Sequence, residues 1–301
     1  MLKVRPAILR LMLPGLCALA VAAVGPPAAD PIDPDDAYKS AEELVPVRVL
    51  ADVPHLKPGR TFHLAVVFQI AKDWHIYWKN PGTGGLATEV LVAAPEGYEV
   101  GSVGFPRPKR FRQGREITFG YENETVLFVP ITPPKTIDSH EATFDCRISW
   151  LVCKKACKLG SAERSVTLAV TETPPREDPA LPDPPLAKHF KRLPRPLKDL
   201  KGSKLAINED RLLITGPMLG HQQVVFFPGH RPGVTLGEAQ IEYRNDRFTI
   251  AVPFSVRPVD SLGRPMAIEG LIALGDRDDD PCYEFTVPLQ DPPEVPSRLV
   301  R

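Results

Sequence analysis

The sequence predicts an all-β protein made of two β-sandwiches in series. Three observations carry this. Runs of alternating apolar and polar residues recur along the chain, and no long helical period competes with them. Turn-forming clusters such as "NPGTGG" (80–85) and "PEGY" (95–98) separate several of these runs. The 301 residues also include 35 prolines. Proline is excluded from helix interiors and central strands, so the chain should be rich in loops, edges and extended connections.

The amino terminus reads as a secretory signal peptide over residues 1–23. Lys3, Arg5 and Arg10 precede an apolar run from Leu11 to Val24, and Ala20 and Ala22 give an A-x-A-like cleavage site. The run is shorter than the roughly 18–20 residues a spanning helix needs; an uncleaved anchor is the alternative. Cys17 follows Leu16 rather than a small residue, which disfavours lipid attachment. No later segment has a spanning apolar run, so the expectation is an exported, periplasmic protein that is soluble after cleavage. The formal net charge is zero, with no long run of one sign. That argues against nucleic acid or an anionic membrane as the main partner.

Residues 24–44 are rich in Pro, Ala and Asp and read as a flexible lead. The first sandwich is expected over 45–172. In "RTFHLAVVFQI" (60–70), Phe62, Leu64, Val66, Phe68 and Ile70 share one face, and His63, Ala65, Val67 and Gln69 the other. This period of two describes a half-buried strand. Further strands are expected at 46–52, 75–79, 88–93, 97–104, 116–119, 126–132, 142–152 and 164–171. Many short antiparallel strands at this spacing point to an immunoglobulin-like sandwich. Residues 173–198 follow as a Pro-rich linker, stiff or hugging the wall of a domain. A second β-sandwich is expected over 199–301, with strands at 204–208, 211–215, 222–227, 247–254, 267–274 and 283–288.

The two halves share a pattern. "YENETVLFVPI" (121–131) and "YRNDRFTIAVPF" (243–254) both run Tyr-x-Asn-acid into an alternating strand that ends Val-Pro-apolar. "CRISWLVC" (146–153) aligns loosely with "GLIALGDR" (270–277). If this is a duplication, "DRDDD" (276–280) takes the place of "CKKAC" (153–157), and the second copy lacks the thiol pair.

Four cysteines remain after the signal: Cys146, Cys153, Cys157 and Cys282. Outside the cytoplasm disulfides persist, so an even count is compatible with two bridges, or with one working pair and two bystanders. In "EATFDCRISWLVC" (141–153), Phe144, Cys146, Ile148, Trp150 and Val152 share one face, which makes Cys146 a small core residue. Cys153 falls at the strand end and Cys157 where the chain resumes. A three-residue turn can bring two Cα atoms within bridging distance. So small a loop stabilises little as a staple, and a small ring at a loop is easier to reduce. Lys154, Lys155 and Lys158 put positive charge around both sulfurs, which favours thiolate. A structural bridge and a Cu(I) or zinc site remain alternatives. Against metal, no second ligand pair follows and Cys146 faces the core. There is no C-x-x-C and no βαβ pattern for thioredoxin-like chemistry. Nor does any hydrolase or phosphate-loop motif occur. "DRDDDP" (276–281) lacks EF-hand spacing and reads as a solvated hairpin turn.

Taken in order, "DWHIYWKNPGTGGLATEV" (73–90), "FPRPKRF" (105–111), "FGYE" (119–122) and "WLVCKKACKLG" (150–160) resemble the amino-terminal periplasmic domain of the thiol:disulfide interchange protein DsbD family, most of all its ScsB-like branch. The resemblance covers roughly residues 45–172. It implies a component of a protein-disulfide reductase that needs no cofactor beyond the Cys153–Cys157 disulfide and no metal. Cys157 would form mixed disulfides with partners and Cys153 would resolve them. A cap loop would shield the pair, matching about Arg107 to Tyr121, with Phe119, Tyr121, Trp74 and Tyr77 as candidate shielding or site-touching aromatics. The implied partners are periplasmic thioredoxin-like or disulfide-isomerase-like proteins. Complete members of the family continue into a membrane-embedded electron carrier and a thioredoxin-like domain. This sequence has neither, so the resemblance implies a membrane-embedded thiol donor on a separate chain, or reuse of the domain as a binding module.

Overall fold

The computed structural model describes residues 38–171, 184–257 and 267–289. The expected signal peptide, Cys17, residues 24–37 of the lead and residues 173–183 of the linker lie outside the described residues.

Helix α1 (Ala41–Leu44) opens the described chain. Ser40 Oγ accepts from the Glu43 amide while the Glu43 carboxylate accepts from the Ser40 amide, a reciprocal capping box. Ala41 and Leu44 are buried, and Glu42 accepts from the Ser161 amide. The end of the expected flexible lead is therefore fixed on the first sandwich, because it carries two apolar side chains that leave water.

Two sheets form that sandwich. One runs in the order β1 (Val47–Ala51), β2 (Phe62–Gln69), β8 (Glu124–Thr132), β5 (Glu99–Val100). The other runs β10 (Cys157–Ala169), β9 (Glu141–Cys153), β3 (His75–Gly82), β7 (Glu116–Glu122), β6 (Lys109–Gln113), and β4 (Glu89–Ala93) also pairs with β9. Phe62, Leu64, Val66 and Phe68 meet Trp78, Phe144, Ile148 and Trp150 between the sheets. Ladder alternation thus becomes a two-layer core, the defining arrangement of a sandwich.

Three differences from the sequence reading have clear causes. The outer face of β2 is covered as well: Ala65 and Val67, with Val126 and Phe128 of β8, pack under Leu186, Phe190 and Leu193. Leu186 and Phe190 belong to α2 (Pro184–Phe190), a helix inside the stretch expected to be linker. Strand β10 begins at Cys157, seven residues earlier than expected, because the pair itself closes the hairpin. Strand β6 was not foreseen at all.

The second sandwich repeats the first. One sheet runs β12 (Lys204–Asn208), β13 (Arg211–Pro217), β17 (Arg247–Val256), β15 (Val234–Leu236), with β16 (Gln240–Arg244) also on β17. The other runs β11 (Arg195–Pro196), β19 (Cys282–Pro288), β18 (Ala267–Leu274), β14 (Val224–Pro228). The order β12-β13-β17-β15 corresponds to β1-β2-β8-β5, and β19-β18-β14 to β10-β9-β3. Asn123 and Asn245, which open the two matching turns, both take positive φ (64° and 51°), a conformation asparagine tolerates better than most residues. The "DRDDD" segment lies in the β18–β19 turn, the counterpart of "CKKAC" between β9 and β10. One strand departs from the repeat: β7 pairs with β3, whereas β16 pairs with β17.

The two sandwiches share apolar surface. Phe227, Leu271, Ala273 and Cys282 belong to the same buried cluster as Trp78 and Phe119. Phe227 lies edge-on to both rings, at 6.2 and 5.6 Å between centroids. Asn80 Nδ2 donates to the Pro228 carbonyl at 2.7 Å, and Arg110 Nη2 to the Phe226 carbonyl at 3.0 Å. Among the described residues no helix is long and apolar enough to cross a membrane.

Candidate redox site

The site is the tip of the β9–β10 hairpin. These two strands pair over thirteen residues each, and Cys153 opposite Cys157 is the last rung. Lys154, Lys155 and Ala156 make the turn, tightened by a bond from the Lys154 amide to the Ala156 carbonyl at 3.2 Å. The two sulfurs are bonded, at 2.02 Å, with the Cα atoms 4.2 Å apart. Inward residues Phe144, Cys146, Ile148, Trp150 and Val152 hold the strand to the core, so Cys153 projects from the opposite face.

The two cysteines differ in access. Cys153 is 3% exposed, while Cys157 is open to solvent. Strand β3 and the β6–β7 hairpin both reach the cysteine turn. His75 sits opposite Cys153 across β3–β9. Its imidazole stacks on Phe111 of β6 at 4.7 Å and 22°, and meets Tyr77 edge-on at 5.2 Å. At the tip of that hairpin Gln113 Nε2 reaches the Lys154 carbonyl at 3.5 Å. Burial lowers the His75 pKa below its ordinary value, partly opposed by the Glu122 carboxylate. The ring is therefore neutral at pH 7. Burial, with Glu116, raises the Tyr77 phenol. Tyr77 also occupies the space beside Gly85, where an added Cβ would lie 2.4 Å from the ring.

The lysines bracket the pair. Lys154 Nζ lies 3.8 Å from Asp73 Oδ2. Lys158 Nζ is 5.9 Å above the Trp74 ring and donates to the Lys39 carbonyl. Lys155 is exposed on the turn itself.

The expected aromatics divide into two groups. Tyr77 stands one ring away from the pair, through His75. Trp74 is a core residue whose face carries Lys158. Phe119 and Tyr121 do not cover the disulfide. Both point into the core from β7, Phe119 against Trp78 and Phe227 at the junction. The Tyr121 hydroxyl donates to the Pro106 carbonyl at 2.8 Å. Alternation along β7 places these two residues on the same, inward side. The ring nearest the pair along β6 is instead Phe111, stacked on His75, and neither it nor His75 stood out in the sequence. The signal available was the pair of runs "KRFRQ" and "EITFGYE" split by Gly114 and Arg115, which reads as a hairpin.

Cys146 and Cys282 are unpaired and buried. Burial, with Asp145, raises the Cys146 thiol to about 11, and burial raises that of Cys282 to about 12. Both are inert as thiols at neutral pH.

An immunoglobulin-like sandwich with a disulfide on an exposed hairpin tip defines the class. Residues 41–169 match the family described as "Thiol:disulfide interchange protein DsbD, N-terminal", and this part of the chain is a DsbD N-terminal-like domain. The crystal structure of the N-terminal periplasmic domain of ScsB from Proteus mirabilis aligns with 81% of this chain and 93% of its own, at 18% identity and a TM-score of 0.54. That coverage runs beyond residues 41–169, so the likeness in fold takes in part of the second sandwich. The reduced DsbD N-terminal domain of Neisseria meningitidis aligns with 46% of this chain and 100% of its own, at 13% identity and a TM-score of 0.30. No curated protein sequence matches.

Proposed function

We propose that this protein is an exported, periplasmic thiol–disulfide relay that passes reducing equivalents to substrate proteins through Cys153 and Cys157. The unequal access of the two cysteines carries this reading. In the reduced form the exposed Cys157 thiolate attacks a substrate disulfide. A bond forms between Cys157 Sγ and one substrate sulfur, and the other substrate sulfur leaves as a thiolate and takes up a proton. Cys153 then attacks Cys157 Sγ, the mixed disulfide breaks, and the second substrate sulfur leaves as a thiolate that is protonated in turn. Two electrons and two protons pass to the substrate and the Cys153–Cys157 bond is restored. The buried Cys153 lies bonded to Cys157 at the foot of the turn, which suits a resolving role. Re-reduction requires a dithiol donor, here a membrane-embedded thiol carrier. Thioredoxin-like or disulfide-isomerase-like periplasmic proteins are the acceptors.

The test is trapping with the Cys153→Ser chain, which should hold a partner on Cys157 as a mixed disulfide. Capture by Cys157→Ser instead would invert the roles. A reduction potential well below about −300 mV would mark a permanent structural bridge and overturn the relay.

A further inference from the structure

The β6–β7 hairpin, whose tip touches the cysteine turn through Gln113, is held at its base by the second sandwich. Arg107, just before β6, is 6% exposed, and its guanidinium leaves the first sandwich altogether. Nη1 donates to the Arg277 carbonyl at 2.7 Å and Nη2 to the Gly275 carbonyl at 2.9 Å. Both carbonyls belong to the β18–β19 turn, the counterpart of the cysteine turn. Two residues on, Lys109 Nζ lies 2.7 Å from Glu122 and 3.4 Å from Asp278 of the same turn. Arg192 approaches Asp278 at 3.7 Å, and Arg110 donates to Phe226.

The turn is built to receive this arginine. Asp280 folds back on it, accepting from the Arg277 amide at 3.0 Å and from the Arg277 side chain at 3.1 Å. Gly275 has φ +83°, and a Cβ there would meet Asp280 at 2.1 Å. With the carboxylates engaged in this way, the carbonyls of residues 275 and 277 face Arg107. A buried guanidinium persists only where its donors are satisfied, so these two bonds fix the position of the chain at residue 107. Six residues later Gln113 touches the disulfide turn. At roughly 3.3 Å per residue that is about 20 Å of extended chain, with Phe111 stacked on His75 along the way.

We propose that the second sandwich is the anchor of the cap: its β18–β19 turn grips Arg107, and through Arg107 it sets Phe111 and Gln113 against the Cys153–Cys157 turn. Arg107 is then a positioning residue, and loosening its grip lets thiols reach the disulfide. This rests on the disulfide being the working group proposed above, and it assigns the second sandwich control of access.

The experiment measures how fast dithiothreitol reduces the disulfide in the oxidised full-length chain, by quenching with an alkylating reagent. Arg107→Gln should be reduced about tenfold faster, in the usual range of coupling between sites. Arg107→Lys, able to keep one of the two bonds, should fall between. Asp278→Asn, which removes only the partly exposed ion pairs to Lys109 and Arg192, should give about a threefold rise and serves if Arg107→Gln fails to fold. Gln113→Ala at the tip should also speed reduction. Amide exchange over 109–113 should quicken in Arg107→Gln, which a loss of stability elsewhere would not produce selectively. Reduction of folded Arg107→Gln and Asp278→Asn at the parent rate overturns the proposal. So does acceleration by Gln113→Ala alone, since the cap would then shield without being anchored. Neither result touches the mixed-disulfide trap, and failure of that trap would leave these rates to be read by themselves.

Discussion

Gly160 lies directly opposite Trp150 in the β9–β10 ladder, and the indole fills the space a side chain at 160 would need. An added Cβ would sit 2.4 Å from the ring. Trp150 is a core residue two positions inward of Val152, so displacing it disturbs the strand end that carries Cys153. Gly160→Ala should destabilise the protein by about 2 kcal/mol, the usual scale for overpacking. Chemical unfolding measures this. An unchanged midpoint would mean that the indole turns aside freely.

Unequal access of the two cysteines should show in alkylation. In the reduced protein, Cys157 should react with iodoacetamide on the order of tenfold faster than Cys153, since its access is the greater. Peptide mapping at partial modification reads the ratio. Equal rates would remove the basis for assigning Cys157 the attacking role.

The buried free thiols should make the protein sensitive to alkali. Cys146 and Cys282 hold their protons more tightly when folded than unfolded, so their contribution is complete below about pH 9. It is lost as pH rises towards about 11 for Cys146 and about 12 for Cys282. Urea midpoints should therefore fall more steeply above pH 9 in the parent chain than in Cys282→Ala. Parallel slopes would show that burial leaves this thiol's pKa where it was.

His75 gives the opposite sign. Burial lowers its pKa, so the unfolded chain takes up the proton first as pH falls. Its stabilisation is present above about pH 6.5, the ordinary histidine value, and drains away below it. His75→Phe keeps a ring against Phe111 and should flatten the decline in stability between pH 7 and 5. A decline as steep as the parent's would place the acid sensitivity elsewhere.

Much of this architecture was legible because ladder periodicity is local. Phe62, Leu64, Val66 and Phe68 announce their common face within one strand, and the three residues between Cys153 and Cys157 allow a cross-strand bond. What the sequence hid depends on partners distant in the chain. Phe111 stacks on His75, the ladder partner of Cys153, and "KRFRQ" shows as a strand only when read together with "EITFGYE" as a hairpin. Helix α2 was masked by the prolines around it, although Leu186 and Phe190 are the residues that seal β2. For Phe119 and Tyr121 the resemblance points only to a region, whereas alternation along β7 turns both side chains into the core. Arg107 could not be read at all, since its partners lie about 170 residues away.

Phe227, Leu271 and Ala273 sit in the same buried cluster as Trp78 and Phe119, so neither half can melt without stripping the other of its packing. Heating should give one calorimetric transition with matching van't Hoff and calorimetric enthalpies. Severing the chain between the halves would leave each with a greasy scar, and the separated pieces should be stickier and less heat-resistant than the whole.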